Sequence, residues 1–230
     1  MRETEVTPRD VDDVVADLTA IQDALPPEDG VAAFNRMYLL VTELVRDRLA
    51  VGYFADPASM TALDVTFAGL YLAAVGAADD SRKVPKAWRP LFARRGDRRV
   101  LPIQFAIAGM NAHINHDLPV AVVSTCRALG IAPDEGSFHA DYDKVNALLG
   151  SVEQQVRESF ESGVVLDADR EAAPVLDHLG NWNIDAARDA AWVSAGVLWR
   201  LRNEPFALRA FEDTLAGTVG LVTATLLAPV

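Results

Sequence analysis

The side chains of this chain best suited to chemistry stand close together in Asn111-Ala-His-Ile-Asn-His-Asp117, near the end of an otherwise apolar stretch. Residues four apart share a helical face, so His113 and Asp117 project together with His116 beside them. The spacing recurs in His139-Ala-Asp-Tyr-Asp143, and Asn146 and Glu153 continue that face. Two such pairs on packed helices would supply two imidazoles and two carboxylates, a donor set that suits zinc, iron or manganese. The leading expectation is therefore a metal site made by His113, Asp117, His139 and Asp143. A metal there would activate a water and polarise a substrate oxygen, making hydrolysis of an ester, amide or phosphoester the simplest reaction. Without a metal, His113, His116 and Asp64 are the candidate proton carriers of a cyclase or isomerase acting on a small hydrophobic metabolite. A His and an Asp four apart also form plain ion pairs, so a non-catalytic ligand-binding or oligomeric module is the third reading.

Asp64 falls within the apolar stripe Met60, Leu63, Phe67, Leu70, Tyr71 and Ala74. A carboxylate there is costly unless it is paired or liganded, so Asp64 is expected to complete a metal site, act as an acid or base, or orient a histidine. Asn35, Tyr38 and Tyr71 are placed to line the same space, and Asn111, Asn115 and Asn146 offer amides that would orient an uncharged substrate. His178, near Asn181 and Trp182, is a further candidate substrate contact. Cys126 reads as a small buried apolar residue.

Helices must position these groups. Apolar residues recur at three- and four-residue steps from Val11 to Leu25, with Thr7 as the expected cap and Pro8 in the first turn. Pro26-Pro27 ends that helix, Asp29 opens a second, and Asp56-Pro57 opens a third that runs to about Ala78. A polar segment follows, holding one short helix near Trp88. Leu101 to Gly130 reads as a long helix bent or broken at Pro119. Ser137 starts the next, to about Ser162, and further helices fit Asp167–Leu179, Asn183–Arg202 and Pro205–Leu227. No hairpin signal interrupts this grammar. The expected fold is an all-α, single-domain bundle of about eight helices.

Composition excludes several functions. Half of the 230 residues are hydrophobic and 23% are charged, which supports a core and rules out a disordered chain. A net charge of −12 argues against nucleic acid as the main partner. The eight Lys and Arg between Arg82 and Arg99, against Asp97 alone, concentrate a local +7 that could draw an anionic substrate. One cysteine excludes a disulfide framework. No dinucleotide, phosphate-loop or nucleophile-elbow motif appears, so no nucleotide cofactor is expected. Met1 to Asp13 lacks the apolar centre of a signal peptide, and the tail from Thr214 reads as a buried helix. The expectations are a cytoplasmic protein without a membrane span, a small-molecule ligand, and at most a second copy of itself as macromolecular partner.

Four segments together resemble a bacterial domain-of-unknown-function family common in actinobacteria. They are Phe34-Asn35-Arg36-Met37-Tyr38, Leu63-Asp64 through Tyr71, Asn111-Ala-His-Ile-Asn-His-Asp-Leu118, and His139-Ala-Asp-Tyr-Asp143 to Asn146. The similarity extends from about Asp23 to Trp199, and Asn-x-His-Ile-Asn-x-Asp-Leu is its most specific element. It implies no activity, but it implies that these residues belong to one site, with His113 and Asp117 more constant than position 116.

Overall fold

Short-range signals set where the helices begin. In a computed structural model that describes residues 10–149 and 183–229, Asp10, Asp29 and Asp56 each occupy an N-cap and accept a backbone N–H. They start α1 (Val11–Ala24), α2 (Gly30–Ala50) and α3 (Pro57–Gly76). The cap of α1 is thus Asp10, whose Oδ1 lies 2.9 Å from the Asp13 nitrogen, and not Thr7, which lies outside the described residues. The short α4 (Arg89–Arg94) follows Trp88, and α5 (Pro102–Ala112) begins with proline at its first turn.

The long helix anticipated from Leu101 to Gly130 runs on past Pro119 without a break. Five residues, His113–Asp117, form a π-helical turn, after which α6 (Leu118–Leu129) continues to Gly130, which takes the left-handed conformation at φ 71°. Pro119 accounts for the widening. It has no N–H to give to the carbonyl of residue 115, and its ring crowds that carbonyl. The preceding turn expands so that the Leu118 N–H bonds to the carbonyl of His113, five residues back. Residues 138–149 form α7, followed by α8 (Ile184–Leu201) and α9 (Pro205–Leu226). All regular structure among the described residues is helical, and the fold is an all-α bundle. The expected helix Asp167–Leu179 lies outside the described residues.

Two apolar clusters fill the interior. One gathers Val14, Leu18, Phe34, Tyr38, Tyr71, Trp88, Leu91 and Phe105, and the other Phe54, Met60, Leu63, Ile114, Leu118, Val122, Tyr142 and Leu198. Phe67 and Met110 pack against both, so the seam between the cores runs past the π-turn. Side-chain bonds stitch distant segments around the first of these clusters. Asn35, fully buried on α2, donates to the Leu18 carbonyl (2.9 Å) and to Gln22 (3.0 Å), and accepts from the Tyr71 hydroxyl (3.2 Å). Asn111 donates to the Val219 carbonyl and to the Thr223 hydroxyl of α9 at 3.2 and 3.0 Å. The Gln104 amide reaches the carbonyls of Leu226 and Ala228, and Arg94 that of Leu227.

The basic segment is largely committed to the protein itself. Arg95 grips Asp29 at 2.8 Å, Arg99 pairs with Asp97 at 2.9 Å, Lys86 with Asp213 at 3.0 Å, and Arg89 bonds the Val84 carbonyl. α3 is long and apolar enough to cross a bilayer by length and composition, a test that core helices also meet, and it packs on α1, α2 and α6.

Small residues allow the closest approach of α2 and α5. A Cβ at Gly109 would stand 2.4 Å from ring atoms of Phe34. Gly109→Ala should therefore overpack the core and cost about 1–3 kcal/mol. In a thermal melt that is a fall of several degrees. An unchanged melting temperature would mean that the Phe34 ring can step aside.

Candidate functional site

The π-turn assembles the polar heart of the bundle. Asp117, 1% exposed, is hydrogen-bonded by three N–H groups. Its Oδ2 accepts from Nδ1 of His113 at 3.0 Å and from the Trp88 indole at 2.9 Å, and its Oδ1 accepts from Nδ1 of His116 at 2.6 Å. Burial by itself would push this carboxyl up. The bonds from His113 and His116 outweigh it, and Asp117 stays below the usual carboxylate range, charged in the interior. His113 answers in the opposite sense: its burial, stronger than the pull of Asp117, lowers its pKa, so the ring is neutral at pH 7. With Nδ1–H given to Asp117, its basic nitrogen is Nε2, which is buried and has no hydrogen-bond partner.

Aromatic rings explain that burial. Phe67 stacks on the imidazole at 3.6 Å and 7°, and Tyr38 meets it edge-on at 4.5 Å. Phe34, Tyr71 and Trp88 stand at 5.8–6.0 Å. A charged imidazolium could be held by such faces, but water is excluded, and the neutral base is the resting form.

Asp64 lies one turn before Phe67 on α3. The residue is half-buried, yet its Oδ2 is sealed from solvent and unpartnered. Desolvation raises its pKa from 3.8 to about 7. The Tyr38 hydroxyl is likewise buried with no hydrogen bond of good geometry; the Thr42 hydroxyl, which donates to the Tyr38 carbonyl at 2.9 Å, is a polar side chain near enough to temper it. Desolvation first, then the Asp64 charge, pushes the Tyr38 phenol well above its ordinary range, so it remains an O–H donor.

The structure brings together His113, His116, Asp117, Tyr38 and Tyr71, with Asp64 beside them on α3. It does not bring in His139 and Asp143. The inward face of α7 is Phe138, Asp141, Tyr142, Val145 and Leu148. Residues 139 and 143 each follow an inward residue by one position, about 100° around the helix. Their side chains are 45% and 53% exposed, 3.6 Å apart, with the His139 ring stacked on Trp192 at 4.0 Å. The four-ligand metal set is thus corrected: among the described residues no three His, Cys, Asp or Glu side chains are arranged to hold an ion.

The asparagines expected to meet a substrate make internal ties in this structure. Asn35 and Asn111 are spent on the inter-helix bonds above, Asn115 donates to Asn111 at 3.1 Å, and Asn146 accepts from the buried Arg188. Tyr71 spends its hydroxyl on Asn35. His178 lies outside the described residues. Sequence reasoning missed Trp88, whose buried indole N–H demanded an acceptor. It also missed Asp141, which receives the backbone N–H groups of Ala55 and Asp56 at 2.9 and 2.7 Å and so fixes the entry to α3.

Asp64 gives the cluster a pH signature. Its folded pKa exceeds its unfolded value, so the folded state binds the extra proton, and this stabilisation is lost as pH rises from about 4 through about 7. Asp64→Asn, neutral at every pH, should change stability little at about pH 3, below the unfolded pKa of the carboxyl. At pH 8 it should raise it by about 1–4 kcal/mol, at about 1.36 kcal/mol per pKa unit. Melting curves at the two pH values check this; equal shifts at both would mean that the carboxyl ionises freely.

No curated protein matches this chain, and no solved structure does. A family model described as a family of unknown function (DUF5995) matches residues 11–229, from the first turn of α1 past the end of α9. The chain is a member of that family.

Proposed function

We propose that the protein is an acid–base enzyme that moves a proton on a small apolar molecule, with His113 Nε2 as the base. The observation that carries this reading is the combination on one imidazole of a fixed Nδ1–H and a free, buried Nε2. A histidine kept for structure alone would satisfy both nitrogens, since an unpartnered buried polar atom costs about 1–3 kcal/mol. Here the cost falls on the atom whose basicity is useful. Asp117 selects the tautomer and steadies the imidazolium that forms when Nε2 takes a proton. Trp88 and His116 in turn hold both oxygens of Asp117.

Proton transfer is favoured over the metal-dependent hydrolase reading by the same bonds. Both oxygens of Asp117 and Nδ1 of each histidine are engaged with one another, and the second His–Asp pair is on the surface. The aromatic walls suit an apolar substrate. The side nearest solvent is α3, where Asp64 and Phe67 are half-buried while His113, Tyr71 and Trp88 are closed off.

The test is solvent-deuterium labelling. The purified protein, incubated in D2O with a small-molecule extract of bacterial cells, should add one deuterium to specific compounds, read by mass spectrometry. His113→Gln should abolish the label while remaining folded, and Asp117→Asn should slow it at least tenfold; base catalysis of this kind is worth about 10²–10⁴-fold. A folded His113→Gln variant that labels as the wild type does would sink the assignment. Stoichiometric zinc, iron or manganese that is lost from that variant would return the hydrolase reading.

A further inference from the structure

Four buried side-chain atoms among the described residues lack a hydrogen bond: Thr125 Oγ1 on α6, and Tyr38 Oη, Asp64 Oδ2 and His113 Nε2. The last three belong to one neighbourhood. The Tyr38 ring lies 4.5 Å from His113 and 6.0 Å from Phe67, Phe67 stacks on His113 at 3.6 Å, and Asp64 stands one turn from Phe67. The Asp64 charge is close enough to act on the Tyr38 hydroxyl. Native interiors leave few polar atoms unmatched, and three in one neighbourhood are a set that a ligand could satisfy.

Their roles differ in kind. The Tyr38 hydroxyl is a donor. Asp64, whose buried Oδ2 has no partner, is raised by desolvation to about 7, so near neutrality a large share of it carries the proton and offers an O–H. His113 Nε2 offers a lone pair. Two donors and one base suit an oxygen that gains negative charge next to a carbon that loses a proton. A neutral carboxylic acid and a phenol in a dry site stabilise such an oxyanion because neither must be reoriented as charge develops.

We infer that Tyr38 and Asp64 form the oxyanion-binding pair for an apolar, enolisable ketone or aldehyde whose α-proton is taken by His113. This rests on the acid–base reading above and names its substrate class. The α C–H bond breaks and its proton passes to Nε2. The electron pair left on carbon forms the C=C bond, and the carbonyl π pair moves to oxygen, where the hydroxyls of Tyr38 and Asp64 receive it. Return of the proton from Nε2–H to the same or a conjugated carbon restores the carbonyl. Nothing is oxidised or reduced, and no co-reactant is needed.

The experiment uses 2-tetralone as substrate, with α-proton exchange in D2O followed by NMR, and 2-naphthol as a fluorescent mimic of its enol. The wild type should speed exchange and bind 2-naphthol. Tyr38→Phe and Asp64→Asn should each lower kcat at least tenfold, leave KM within threefold, and weaken 2-naphthol at least tenfold. His113→Gln should abolish exchange while keeping 2-naphthol within threefold. If His113→Gln is inactive but both Tyr38→Phe and Asp64→Asn stay within threefold of wild type, the oxyanion pair is wrong and the base assignment stands. If the wild type exchanges neither 2-tetralone, 1-indanone nor cyclohexanone and does not bind 2-naphthol, the carbonyl class is wrong, while extract labelling still judges His113. Should either variant fail to fold, the infrared carbonyl band of 2-tetralone on the wild type decides: a fall in frequency supports the pair, and an unshifted band overturns it.

Discussion

A carboxylate in a protein interior must replace the water it gives up, and Asp117 does so with three N–H donors. Burying such a charge without partners would cost several kcal/mol, so each donor is held as firmly as the charge itself. Trp88 comes from the segment before α4, and His113 and His116 come from the π-turn. One anion therefore fixes the basic segment against the long helix, sets the tautomer of His113, and spends one nitrogen of His116. The π-turn is the geometric condition for this. Pro119 widens the backbone just where the three polar residues stand, and the helix then resumes without a break.

The position of this cluster, at the seam of two apolar cores, gives it its chemistry. Were it deep within one core, the rings would close around every polar atom and leave no route in. Were it on the surface, water would fill the hydrogen bonds and pin the pKa values to their ordinary range. At the seam, Phe67 and Asp64 on the half-buried side of α3 form a wall that is apolar yet close to solvent. The tension between the two carboxyls is instructive. Asp117 has donors and stays charged; Asp64 has none for its buried oxygen and keeps its proton up to about pH 7. The same functional group thus serves as anion or as acid according to what surrounds it.

Much of this was legible in the chain. The Asp caps, the prolines at first turns and the three- and four-residue apolar steps marked the helices. The His113–Asp117 spacing and the odd placement of Asp64 marked the site. What failed was helix phase and partner choice. On α7 the apolar residues Phe138, Tyr142 and Val145 define a face that carries Asp141 inward and leaves His139 and Asp143 outside. A one-residue error turns a side chain by about 100°, and the repeated His-x-x-x-Asp pattern drew attention to the wrong face. The inter-helix ties of the asparagines were not legible, because an amide that binds a ligand and one that ties two helices look identical in sequence. Trp88 was hidden because its acceptor stands 29 residues away in the chain.

The ties to α9 carry a consequence for the order in which the molecule can take shape. The amides of Asn111 and Gln104 find their acceptors only at Val219, Thr223, Leu226 and Ala228, more than a hundred residues further on. Contacts of such separation form slowly, because the intervening chain must first be brought together. During synthesis the long helix and its polar turn would therefore emerge with these amides unsatisfied and wait, still wet, until α9 arrives. The polar interior would be dried by the segment made last among its walls, and the completed helix would act as the seal that commits the bundle to its final packing.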